Sequence, residues 1–332
     1  MTADHRIHTR AVSPRTIQLR TDDAAIERVL HDAAHVSGGY APALAQPTTL
    51  AEVVGVVQSS STVLAIGSQS SLTGGATPRG ETVVELRGLQ GIERVDAGRW
   101  RVGAGMTLDE IQTHLARQDA FYPPVPAYAG AQIGGAASTN AAGPATFKYG
   151  STRQWIDGLT VVLADGSVLE LERGQCRAHA HGLFEIIRPD ASSVFVPVPS
   201  YPLPAVAKLS AGYYAAPGMD LVDLFIGSEG TLGVITEVVI NAVTPAPRTT
   251  ATLICLTDEQ QALDLSATLR SEGLSAWRGG GGLNVCAIEF LDAASLDLIR
   301  EDGADRAVGL SLRSDARAAL IVQRESLAST GS

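Results

Sequence analysis

Three glycine-rich segments, at residues 65–76, 122–150 and 227–236, constrain this chain more than any other feature of its sequence. The first, Ala65-Ile-Gly-Ser-Gln-Ser-Ser-Leu-Thr-Gly-Gly-Ala76, contains no charge. Its successive small residues can turn their backbone N–H groups inward as an anion nest suited to a pyrophosphate. Ser68, Ser70, Ser71 and Thr73 add hydroxyl donors. Taken alone, the segment is equally readable as a surface turn. The second runs from Tyr122-Pro-Pro-Val-Pro through Ala127, Tyr128, Gln132 and Ser138 to Tyr149-Gly150. Its prolines set a rigid approach, and Gly134 and Gly135 admit backbone close to a ligand. A loop of this length inside a domain is usually functional. Small-residue packing explains its alanines but not the placement of Asn140, Tyr149 and Gly150. The third, Gly227-Ser-Glu-Gly-Thr-Leu-Gly-Val-Ile-Thr236, is a tight turn feeding an apolar strand over Val234–Ile240, and by itself it too could be structural.

A chain of 332 residues is long enough for two ordinary domains, taking roughly 150 residues per domain. Its net charge of −10 argues against nucleic acid as a partner, because such binders cluster Lys and Arg. An anionic ligand would therefore be held by backbone N–H groups. Cys176, Cys255 and Cys286 lie far apart with no CxxC spacing, which suits small buried residues in a reducing compartment. The N-terminus carries no apolar signal core and no apolar run approaches membrane-spanning length. A cytoplasmic protein is expected, with peripheral membrane attachment left open.

The pattern between the glycine segments is mixed. Thr49 with Glu52, and Thr107 with Glu110, are capping boxes opening two helices. Thr62–Ile66 reads as a buried strand. Strands around Ile92–Val95 and Trp100–Val102 are joined by a turn at Asp96-Ala97-Gly98, and strands at Ile156–Leu163 and Val168–Leu171 by Asp165-Gly166 with type I′ turn chemistry. Beyond the prolines Pro245 and Pro247, Thr252–Leu256 reads as a strand, Asp258–Arg270 as a helix, Val285–Phe290 as a strand and Ala293–Arg300 as a helix. The helix-plus-strand units followed by hairpins earlier in the chain do not alternate regularly as βαβα, so the class is α+β.

The common nucleotide motifs are missing. No Gly-Lys-Ser/Thr follows the first loop, and Gly103-Ala-Gly105 lacks the rest of a dinucleotide fingerprint. Instead, the three segments in their order and spacing, together with Asp157-Gly-Leu-Thr-Val-Val-Leu-Ala-Asp-Gly-Ser167, resemble the FAD-linked oxidase family of the vanillyl-alcohol-oxidase/PCMH type. The resemblance covers about residues 45–247. It implies a lead-in at 1–45, a PCMH-type FAD-binding domain of two α+β subdomains at 46–247, and the start of an α+β cap (substrate) domain at 248–332 that is cut short.

By that resemblance, Gly67, Ser68, Gln69, Ser70 and Ser71 would cradle the FAD pyrophosphate. Ala127, Tyr128, Gln132, Gly134, Gly135 and Ser138 would line the flavin and its phosphate-ribityl arm. Asn140, Gly150 and Thr152 would continue that wall, and Ile235 would contact the adenosine end. It further implies hydride transfer from a small 2-hydroxy acid such as D-lactate, glycolate or D-2-hydroxyglutarate to flavin, with an onward electron acceptor. A partner subunit or homo-oligomer is compatible with it, as is a flavin-binding subunit or truncated carrier without catalysis of its own. No catalytic residue and no metal ligand is assigned.

The first loop departs from the family's usual Pro-Arg-Gly-Gly-Gly-Thr: Ala65-Ile66 replaces Pro-Arg and Ser68-Gln69 replaces two glycines. Gln69 must avoid positive φ or cost up to about 1 kcal/mol. No histidine lies between residues 36 and 113, so FAD is expected to be non-covalent. His179-Ala-His181 is a metal pair without a third ligand and reads better as a solvated loop. Lys208 with Gly212-Tyr213 resembles a family element near the flavin, although a packed tyrosine is the simpler account of Tyr213.

Overall fold

Tertiary packing divides the chain into two units in the computed structural model, which describes residues 4–326 apart from 125, 207, 208, 210 and 245. Lys208 and Pro245 thus lie outside the described residues. One unit takes Met1–Ala141 and Ser151–Val243, the other Ala142–Gly150 and Thr244–Ser332. The first unit begins with β1 (Arg6–Arg10), α1 (Asp23–Glu27), β2 (Leu44–Ala45), α2 (Leu50–Ser59), β3 (Val63–Ile66) and β4 (Thr82–Glu85). It continues through β5 (Ile92–Arg94), β6 (Arg99–Gly103), α3 (Leu108–Ala116) and α4 (Ile133–Ser138). A short helix, α5 (Thr146–Tyr149), belongs to the second unit. The first unit resumes with β7 (Ile156–Val162), β8 (Val168–Glu172), β9 (Leu183–Ile187), β10 (Ser193–Pro197), α6 (Leu221–Phe225) and β11 (Val234–Asn241). The second is completed by β12 (Arg248–Leu256), α7 (Glu259–Trp277), β13 (Val285–Leu291), α8 (Ala293–Asp302), α9 (Ala304–Ala307) and β14 (Ala318–Ser326).

Within the first unit the α+β expectation holds, as two layers of different kinds. A small parallel sheet has the order β2-β4-β3, and an eight-stranded sheet the order β10-β9-β1-β8-β7-β11-β6-β5. Val53, Val54, Val56 and Val57 of α2 pack with Val84, Val162, Val168 and Val234, joining the two layers in one core. Leu108, Ile111 and Leu115 of α3 are fully buried in a second core against the large sheet. Both helices open on threonine caps. At α3 the box is reciprocal, whereas the Glu52 carboxylate of α2 accepts from Thr48 N–H at 2.8 Å and Thr48 Oγ1 at 2.9 Å, one residue upstream of the expected partner.

Residues 1–45 are not a separate lead-in. β1 lies inside the large sheet, parallel to β9 and antiparallel to β8, where Ile7 is buried. Sequence pattern alone missed this because a five-residue edge-to-centre strand carries little periodicity. The turn between β7 and β8 also differs from the type I′ reading. Gly166 has φ +80°, but Asp165 is not among the residues with positive φ. Gly166 N–H donates to Leu163 O at 2.8 Å, so a turn centred on Ala164 and Asp165 is followed by a left-handed glycine.

In the second unit β14 runs between β12 and β13, antiparallel to both. That strand, unread in the sequence, supplies the sheet that the strand–helix pattern alone left open. Phe147 of α5 packs on this unit's core beside Trp277, ring centroids 4.7 Å apart. Next to it Glu325, almost fully buried, accepts from Lys148 Nζ and from Tyr149 Oη at 2.7 Å. Ala142–Gly150 are therefore part of this unit's packing. At the first unit's side, Thr152 Oγ1 donates to Ala141 O at 2.8 Å, pinning the points where the chain leaves and re-enters.

Candidate functional site

Parallel strands cannot be joined by a tight hairpin and require a long crossover. Between β3 and β4 that crossover is residues 67–81, and it contains no helix. The backbone N–H groups of Ser68, Gln69, Ser70 and Ser71 consequently donate to no protein acceptor among the described residues. All four residues are half-buried. Unpaired N–H groups in such a position need an acceptor from outside the chain.

The loop is held open rather than collapsed. Gln69 adopts φ +50°, the left-handed region it was expected to avoid. Its amide offsets that strain: Nε2 donates to Val29 O at 2.9 Å and to Ala76 O at 2.8 Å, tying the loop's two sides together. Asp32, also buried, accepts from Ala76 N–H at 3.3 Å and Ala34 N–H at 3.1 Å. Asp32 carried no sequence signal, since it lies in the stretch read as lead-in.

Facing the loop is α4. Its N-cap residue Gln132 is 3% exposed, and its Oε1 has no hydrogen-bond partner among the described residues. A Cβ built on Gly67 would lie 3.0 Å from that oxygen. The two glycines of α4 divide their work. Gly134 is a packing residue, because a Cβ there would meet Ala104 Cβ at 2.7 Å, and its N–H donates to Ala104 O at 3.0 Å. Gly135 is exposed, with nothing within 4 Å of a built Cβ. Loop, helix and the turn before β11 enclose a cleft of about 420 Å³, a volume within the usual range of ligand pockets.

Into this cleft the structure brings Gly67, Ser68, Gln69, Ser70, Ser71, Gln132, Gly134, Gly135, Ser138 and Ile235. The remaining expected residues lie elsewhere. Ala127 and Tyr128 are exposed and outside the cleft lining. Asn140 is buried at φ +47°, accepting from Arg153 N–H at 2.9 Å and donating to Leu209 O at 3.0 Å. Asparagine suits this left-handed exit from α4. Thr152 is buried and bonded to Ala141, and Gly150, at φ +74°, ends α5 in the second unit. Tyr213 packs against the large core and bonds Thr231 Oγ1 at 2.7 Å. Glu229, not singled out in the sequence, lines the cleft, and burial pushes its carboxyl pKa up.

The residues present fit a dinucleotide with a pyrophosphate: a row of unpaired N–H groups, an orphaned amide oxygen and an exposed glycine face one concavity. On the other side of the loop a smaller polar pocket is lined by Arg28, His31, Glu85 and Arg87. His179 and His181 gain a neighbour in His5, with ring centroids 4.8 Å and 4.9 Å apart along the row. Among the described residues, however, no group of three or more His, Cys, Asp or Glu is arranged to hold a metal ion, and no helix is long and apolar enough to cross a membrane.

Comparison with known proteins agrees with this geometry. Residues 41–172 match the family described as FAD binding domain. The D-lactate dehydrogenase of Anaerostipes hadrus is 30% identical over 240 residues, covering 70% of this chain and 42% of that protein. The D-2-hydroxyglutarate dehydrogenase of Xanthomonas citri pv. viticola is 28% identical over 310 residues, 91% of this chain and 56% of that one. Glycolate oxidase subunit GlcD of Bacillus subtilis is 31% identical over 264 residues, with 78% and 45% covered. A solved structure of alkyldihydroxyacetonephosphate synthase superposes with TM-score 0.65 at 17% identity, covering 93% of this chain and 53% of that one, a likeness of fold. The chain spans about half the length of the curated relatives it matches.

Proposed function

We propose that the chain, whose residues 41–172 match the FAD binding domain family, takes part in FAD-dependent oxidation of a small 2-hydroxy acid. The single observation that carries the reading is the cleft in which Ser68–Ser71 present unpaired N–H groups opposite α4. FAD, when bound, supplies the hydride acceptor. The chain's own residues bind and orient it. The N–H row at 68–71 neutralises the pyrophosphate without a cation, Gln132 offers its amide, and Gly135 leaves room for close backbone approach. Gln69 and Asp32 act through the loop, as positioning residues. The reading assigns no catalytic base to this chain.

Non-covalent binding is part of the proposal, because neither histidine nor cysteine is found among the described residues lining the cleft. Acid precipitation should leave all flavin in the supernatant; flavin retained on the protein, for instance through His31 beside the loop, would contradict it. Cytoplasmic residence belongs to the proposal as well, and cell fractionation tests it.

The substrate class rests on the relatives named D-lactate dehydrogenase, D-2-hydroxyglutarate dehydrogenase and glycolate oxidase. Anaerobic addition of D-lactate, glycolate or D-2-hydroxyglutarate to the flavin-loaded chain should bleach its visible absorbance. Bound flavin that none of the three bleaches supports a second reading, a flavin-binding subunit. That reading is favoured by one relative being named as a subunit, glycolate oxidase subunit GlcD.

A further inference from the structure

We propose that Glu229 binds a hydroxyl pair of the cofactor's ribose or ribityl chain through its carboxylate. This rests on the reading of the cleft as an FAD site and adds a binding residue to it. Among the described residues lining the cleft, Glu229 is the only ionisable one. It is also one of the few non-glycine residues with left-handed backbone, at φ +56° beside Gly230 at +75°. Glycine would sit at 229 without strain, whereas a residue with Cβ is disfavoured there. Strain of this kind persists where the surroundings enforce it and is concentrated at functional sites.

The surroundings do enforce it. Glu229 N–H donates to Ser138 O at 2.8 Å and Gly227 N–H to Ala137 O at 3.0 Å, fixing the turn to the end of α4. The carboxylate itself makes no hydrogen bond or ion pair among the described residues. Its Oε2 lies 4.0 Å from a Cβ built on Gly75. It therefore stands at the far end of the crossover loop, away from the N–H row at 68–71.

Chemistry then selects among the groups a flavin dinucleotide offers. Phosphates repel a carboxylate. The adenine amino group and the flavin imide N–H each adjoin a lone-pair acceptor that would oppose the second carboxylate oxygen. A vicinal diol donates to both oxygens, which is how acidic residues in other dinucleotide sites hold ribose. The raised carboxyl pKa at this position fits a charge kept in a partly desolvated cleft.

The test is titration of the apoprotein with FAD, followed by flavin fluorescence, for wild type, Glu229→Gln and Glu229→Gly, with thermal melting of each apoprotein. Losing a charge-assisted hydrogen bond should weaken FAD binding by about 10- to 100-fold in Glu229→Gly. Glu229→Gln, which keeps one acceptor oxygen, should lose less. The apoprotein of Glu229→Gly should melt no lower than wild type, since glycine relieves the backbone. Calorimetric titrations with FMN and with ADP locate the diol: a deficit with FMN marks the ribityl chain, a deficit with ADP the ribose. Unchanged or tighter FAD binding by either variant overturns the proposal, as does a deficit with neither FMN nor ADP. If wild type binds no FAD, all variants fail alike, and it is the FAD reading that falls.

Discussion

Gly134 and Gly135 are neighbours in one helix and should respond oppositely to the same added methyl group. At Gly135 a Cβ meets nothing within 4 Å. Alanine there should stabilise the apoprotein by up to about 1 kcal/mol through helix propensity, or roughly 2–4 °C in melting temperature. At Gly134 the methyl would stand 2.7 Å from Ala104 Cβ and 3.1 Å from Ala104 O. Overpacking of that kind costs about 1–3 kcal/mol, so Gly134→Ala should melt several degrees lower. Cofactor binding should separate the positions further. A leucine at 135 projects into a cleft of about 420 Å³, and Gly135→Leu should bind FAD at least about 10-fold more weakly while remaining folded. Differential scanning fluorimetry of the apoproteins and fluorescence titration with FAD supply both readouts. Gly135→Leu binding FAD within threefold of wild type, from a folded protein, would refute the claim that the cofactor lies against this helix.

Other residues give independent checks. Gln69→Ala keeps the strained backbone but removes both amide bonds, and should destabilise by about 1–3 kcal/mol. Gln69→Gly also removes the strain and should come closer to wild type in melting temperature. Glu325→Leu leaves Lys148, 18% exposed at its side chain, without its partner; a loss of about 3–5 kcal/mol is expected, largely restored by adding Lys148→Met, with hydrogen exchange of β14 as the measure. Burial pushes the Cys176 thiol up to about 12, and burial with the Glu325 charge pushes Cys286 up to about 11. Native alkylation near neutral pH should therefore label Cys255, which is only partly buried, ahead of both. Because burial raises the Glu229 carboxyl, acidification protonates it before an ordinary glutamate. FAD affinity should begin to fall above the usual carboxylate range, and Glu229→Gln should flatten that fall in a pH series.

How much of this was legible in the sequence depended on whether a residue's role is local. Thr107 and Glu110 form the reciprocal cap their spacing announces, because that motif closes within four residues. The loop at 65–76 announced its unpaired N–H groups through its run of small residues and its lack of any charge. Roles decided by distant partners were not readable. β1 is placed by its pairing with β8 and β9, far along the chain. Asp32 matters through Ala76, 44 residues away, and Gln69 through Val29. Asn140 stands out among alanines, and the family resemblance put both it and Thr152 at a ligand. The structure spends their polarity on Arg153, Leu209 and Ala141, at the point where the chain passes between units. Glu229 was hidden by its motif, where the glycines draw the eye and the strained residue between them does not.

The central claim, that Ser68–Ser71 and α4 form an FAD site, is tested most directly by the flavin content of the purified chain. Reconstitution with excess FAD, removal of free flavin, and acid release followed by chromatography should yield FAD, and not FMN, at about one per chain. No retained flavin from a folded chain, or stoichiometric flavin in a variant whose cleft is blocked at Gly135, would contradict it.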